Sequence, residues 1–183
     1  MVDILTSIRG KRLGLDSSGN LVVDGPGIIL NNGSAPVNAS STAAVVAAGS
    51  ALTLTRETHS GKLIALDTLT GSTVTLPAAT GSMAKFRFYV SALATSGSHI
   101  IKAASASDAM AGFIQSMDDT SANCVAFYAV AGTSDTITLN RTTTGSVTVG
   151  EQIEIEDIAA GLWLVRGVVS NTGSPETPFS AGV

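Results

Sequence analysis

The sequence predicts an all-β protein, an antiparallel β-sandwich or barrel with an extended N-terminal arm. Three observations lead there. Short runs of alternating apolar and polar residues recur from residue 52 onward, the period of a half-buried strand. Gly-Ser and Thr-Gly-Ser turns separate these runs at short spacing, the punctuation of sandwiches and barrels. The one Ala-rich stretch, residues 34–51, is interrupted by Val45-Val46, a Ser/Thr cluster and Gly49, which oppose a long helix.

Residues 1–33 read as the arm. Leu13 and Leu15 are separated from Leu21, Val22 and Val23 by Asp16-Ser17-Ser18-Gly19-Asn20, a turn signal that predicts a small hairpin. Turns at Asp24–Gly27 and Asn31–Gly33 follow. An isolated hairpin is marginal in water, so the arm must lean on something. Residues 34–51 read as a loop entering a strand, and residues 34–170 as the β core. Leu52–Thr55 and Thr73–Leu76 alternate. Lys85–Val90 puts Phe86, Phe88 and Val90 on one face and Lys85 and Arg87 on the other. Cys124–Val130 is a continuous apolar run, expected as a central strand with a buried, inert Cys124. Thr136–Leu139 alternates, Val147 and Val149 continue the pattern, and Gln152–Glu156 points isoleucines inward and carboxylates outward. Leu162–Val169 is the last strong strand. Residues 171–183 form a turn-rich tail, docked through Phe179 if at all. Thr73–Leu76 leading to Thr80-Gly81-Ser82 is echoed by Thr136–Leu139 leading to Thr144-Gly145-Ser146. The echo is too short to set a repeat period.

A chain of 183 residues suits one domain with an arm. Charged residues make up only 13%, where about 25% is usual. The surface must then be rich in Ser, Thr, Gly and Ala, which favours association. A net charge of −4 argues against a general nucleic-acid binder. No run approaches the ~18 apolar residues of a membrane span. The first twelve residues put their basic cluster after the apolar stretch, the reverse of a signal peptide, so secretory export is not expected.

No residue pattern predicts catalysis, and none predicts a cofactor or metal. His59 and His99 lack a second histidine at metal spacing and read as solvated turn residues. His59–Leu63 superficially resembles a phosphate loop, but Arg56 and Leu63 stand where a glycine and a hydroxyl are required. Glu154, Glu156 and Asp157 could serve as paired acids, yet any half-solvated strand gives the same pattern, with a charged interface as the main rival. Asp118-Asp119 lacks the spaced acidic loop of a calcium site. Arg9, Lys11 and Arg12 form the densest basic cluster, fit to pair with acidic groups of a partner. The candidate assembly contacts are therefore Arg9, Lys11, Arg12, Glu154 and Glu156.

Three stretches carry a resemblance. They are Ser7–Leu15; Ser60–Asp67 running into Thr73–Ala79 and a glycine; and Ser134–Leu139 with Glu156–Arg166 and the tail Thr177–Ala181. Together they resemble small virion structural proteins of tailed bacteriophages, of the kind that decorate or cement the capsid. The resemblance implies a non-enzymatic, β-rich module, commonly trimeric. Its partners would be the major capsid protein and further copies of itself, on the outer surface of the head. A tail or fibre-base module is the alternative, and a β-sandwich binding module or hydrolase a remote one.

Overall fold

The computed structural model describes residues 45–183 continuously and, ahead of them, four short strands. The chain forms two compact units, Met1–Thr42 and Ala43–Val183. In the first, β1 (Leu13–Leu15) pairs antiparallel with β2 (Leu21–Val23), Leu15 opposite Leu21. This is the hairpin that the Asp16–Asn20 turn predicts. A second antiparallel pair joins β3 (Ile29–Leu30) to β4 (Val37–Asn38). Arg9, Lys11 and Arg12 lie outside the described residues.

The second unit is all-β apart from one helical turn. Its elements are β5 (Val45–Ala47), β6 (Ala51–Thr53), α1 (Arg56–His59), β7 (Leu63–Leu66), β8 (Thr73–Thr75), β9 (Lys85–Val90), β10 (His99–Lys102), β11 (Ala109–Asp118), β12 (Cys124–Tyr128), β13 (Thr136–Leu139), β14 (Gln152–Ala159), β15 (Leu162–Asn171) and β16 (Phe179–Ser180). Seven strands form one sheet in the order β12-β11-β15-β14-β9-β7-β5. Five form another in the order β16-β13-β10-β8-β6.

Both sheets are mixed, which corrects the expectation of antiparallel pairing throughout. From β5 to β10 the chain changes sheet at every step. Each strand therefore re-enters its sheet beside the previous one and in the same direction, giving the parallel pairs β5–β7, β7–β9, β6–β8 and β8–β10. After β10, the hairpins β11–β12 and β14–β15 are antiparallel, while β11 and β15 run parallel. Alternation in sequence specifies which face a residue takes but not the direction of the neighbouring strand.

One hydrophobic cluster draws on both sheets. Phe86, Phe88, Ile155, Trp163 and Val165 come from the larger, and Val74, Ile101, Ile137 and Leu139 from the smaller. Trp163 and Phe86 meet at 5.9 Å with their planes inclined by 57°, a favoured aromatic geometry. Each large side chain buried here contributes roughly 1.5–3 kcal/mol. The C-terminal tail joins this core: Phe179 is buried, and β16 pairs with β13.

Several local readings are corrected. The run at Cys124–Val130 is not a central strand; β12 is the edge of the larger sheet, its outward residues exposed. Val147 and Val149 lie in a turn, not a strand. Strand β11 escapes pattern reading because Gly112 interrupts it at φ +122°, where an added Cβ would strike the Val165 carbonyl. Only glycine permits that approach of β11 to β15.

Candidate interaction face

The outward surface of the seven-stranded sheet gathers the side chains with most to offer a partner. Cross-strand register sets one lateral row, with one residue from each strand. In order they are Tyr128, Phe113, Arg166, Glu154, Arg87, Leu63 and Val45. Paired residues point to the same face of a sheet. Tyr128 is 69% exposed and Phe113 38%, and their rings lie 6.0 Å apart. In the next row stands Val168, 43% exposed. A shallow depression of about 340 Å³ runs along this face between Phe113 and Arg87, floored in part by Gly167.

Both predicted carboxylates sit here, on the outward side of β14. Lys85 of β9 approaches Glu154 at 3.2 Å and Glu156 at 3.4 Å. Its hydrogen bond to Glu154 and the two negative charges hold the ammonium pKa above its ordinary value. Exposed pairs of this kind contribute little to stability, but they offset the acidity of the strand. The sequence reading missed the two arginines flanking Glu154. Arg87 reaches the Gly61 carbonyl at 3.5 Å. Arg166 is exposed and makes no hydrogen bond or ion pair among the described residues. The face is thus mixed in sign rather than acidic. Alternation across Lys85–Val90 and Leu162–Val169 held the signal, since both arginines occupy outward positions.

Asp157 separates from the other two acids. It takes the inward position after Ile153 and Ile155, and its side chain is fully buried. The Thr80, Gly81 and Ser82 N–H groups donate to its carboxylate, as do both hydroxyls. Arg56 of α1 pairs with it at 3.0 Å and donates also to the Ala78 carbonyl. Burial alone would raise the pKa of Asp157, but the Ser82 hydroxyl, the Gly81 and Ser82 amides and Arg56 outweigh it and hold it at about 2. The group fastens the 78–82 turn and α1 to β14.

Glu151 does the same for the second turn of the sequence echo. Its carboxylate accepts from the Ser146, Val147 and Thr148 N–H groups at 2.6–2.8 Å. Here burial prevails and raises the pKa. Gly81 and Gly145 have φ +78° and +77°, the left-handed geometry both turns need. Each turn is tied by a buried carboxylate, but at different places: Asp157 takes Thr80, Gly81 and Ser82, whereas Glu151 takes Ser146, Val147 and Thr148.

The remaining candidates resolve individually. His99 is buried, not solvated: its Nδ1 accepts from the Ser72 N–H at 3.0 Å, and its Nε2 donates to the Ala92 carbonyl at 2.8 Å. Ser72 and Ala92 belong to loops, whose backbone groups need side-chain partners when buried. His59 ends α1, and its Nδ1 accepts from the N–H of the N-cap residue Thr55. Cys124 is a free, exposed thiol, not a buried one, because β12 lies at the sheet edge. Asp118 caps a turn through the Thr120 and Ser121 amides, as expected of a solvated turn. Among the described residues no three His, Cys, Asp or Glu side chains are placed to hold a metal ion, and no helix is long and apolar enough to cross a membrane. Comparison of the chain with models of protein families, with curated proteins and with solved structures returned no match.

Proposed function

We infer that this chain is a non-enzymatic virion protein that decorates and stabilises the head of a tailed bacteriophage. It would bridge capsid subunits from the outer surface. The observation that carries the reading is the outward face of the seven-stranded sheet. There, exposed aromatics and Val168 lie beside a row of both charge signs, the composition of a protein contact. The sequence resemblance supplies the partner, the major capsid protein. The two sheets and their shared core read as a β-sandwich. Copies of the chain associate, as a trimer on the resemblance. Three attachments then act together, and avidity can exceed a single contact by ~10²–10⁴-fold. Modest contacts per subunit suffice.

One feature favours a tail or fibre-base module as the second reading. The sheet-to-sheet coiling of β5–β10 is the path of a short β-solenoid, an architecture of extended assemblies. Co-sedimentation with undecorated heads and, separately, with isolated tails distinguishes the two. The decoration reading expects saturable binding to heads and none to tails. Binding to tails alone would replace it with the second reading.

A further inference from the structure

The seven-residue row across the larger sheet complements its own image. A row of one sign would suit an oppositely charged partner. This one instead carries Tyr128, Phe113, Arg166, Glu154, Arg87 and Leu63 in lateral order. Consider a two-fold axis parallel to the strands, running between β14 and β15 just above the face. Rotation about it keeps strand direction, reverses lateral order and lays one sheet on the other. Arg166 then stands over the second copy's Glu154, and Glu154 over its Arg166. Phe113 stands over the second copy's Arg87, a cation on an aromatic face. Tyr128 stands over its Leu63, apolar on apolar. Every contact occurs twice, as an isologous interface requires.

We propose that the outward face of the seven-stranded sheet docks against the same face of a second copy, with Arg166–Glu154 as its central reciprocal ion pair. Sheets pack face to face about 10 Å apart with strands within about 30° of parallel, so long side chains of both sheets meet midway. Lys85 does not prevent the exchange, because it engages Glu154 at Oε1 and shares its charge with Glu156, so Glu154 keeps Oε2 to accept from an arginine. The contact doubles whatever unit it joins, monomers to dimers or trimers to hexamers. It goes beyond the decoration reading by giving this face to a second copy, so that attachment to the shell falls to the other surfaces of the doubled unit.

Charge reversal in trans tests this. Arg166→Glu alone sets two carboxylates against each other twice, and Glu154→Arg does the same with two guanidinium groups. Like charges facing across an interface cost several kcal/mol, so each variant alone should self-associate at least ~100-fold more weakly. Mixed in equal amounts, the two variants restore both ion pairs, and the doubled species should return. Sedimentation equilibrium of the full chain, of each variant and of the mixture reads this directly, with circular dichroism checking the fold. Should a variant misfold, the unaltered chain decides, because raising salt toward 1 M, where the screening length is about 3 Å, should dissociate the doubled species. Wild-type protein lacking the doubled species, variants that retain it, a mixture that fails to restore it, or salt-independent mass would each overturn the proposal. Binding to heads is measured separately, so its loss or retention tests the functional reading and not this one.

Discussion

Asp157 shows best how one residue's environment decides its role. Read as a string, it belongs with Glu154 and Glu156; in the fold it occupies an inward, apolar-type position and accepts from two hydroxyls, three amides and Arg56. The clue was in the parity of 153, 155 and 157, because an acid on the buried side of a strand must find donors. Its folded pKa, about 2, lies below the ordinary 3.8. The resulting stability is present above pH 3.8 and lost as pH falls through about 2, an effect of about 2 kcal/mol. Glu151 has the opposite sign: its raised pKa favours the protonated folded state, so stability rises slightly as pH falls through that value. Denaturant unfolding across acid pH should show a shallow gain and then a steep loss. In Asp157→Asn the steep loss should vanish, and neutral-pH stability should fall by about 2 kcal/mol, the charge-assisted bonds to the half-buried Arg56 and to the 80–82 turn being lost.

At the scale of elements, strands with clean alternation were legible, and strands interrupted by glycine or set at an edge were not. Lys85–Val90, Thr136–Leu139 and Leu162–Val169 stand where the pattern places them. β11 was hidden by Gly112, and β12 was misplaced because an apolar run reads the same at the edge as at the centre. Its alternate exposure means that only Val125 and Phe127 turn inward. The outward face was half legible: alternation turns Glu154, Glu156 and Arg87 outward, while only register sets Arg166 and Arg87 on either side of Glu154. The β1–β2 hairpin belongs to the smaller unit, and the larger unit has its own hydrophobic core. Deleting residues 1–33, which removes the Arg9, Lys11 and Arg12 cluster, should therefore leave the β circular-dichroism spectrum of the core intact while weakening co-sedimentation with undecorated heads at least ~10-fold. Undiminished binding would assign attachment to the core alone.

The whole molecule is a low-charge protein, 13% charged residues, whose larger sheet turns an apolar and mixed-charge face outward. Such a surface is costly to leave in water and well suited to assembly. Direction of the chain through the two sheets could not be read in advance, because β5–β10 alternate between sheets and no local pattern records that crossing. On the proposed function, the chain reinforces a phage head by bridging its subunits. Ligands that bind the assembled state raise its stability by mass action. Undecorated, DNA-filled heads should therefore release their DNA at a higher temperature after saturation with purified chain, and the rise should track occupancy. Saturated heads that release DNA at the same temperature as bare ones would contradict the account.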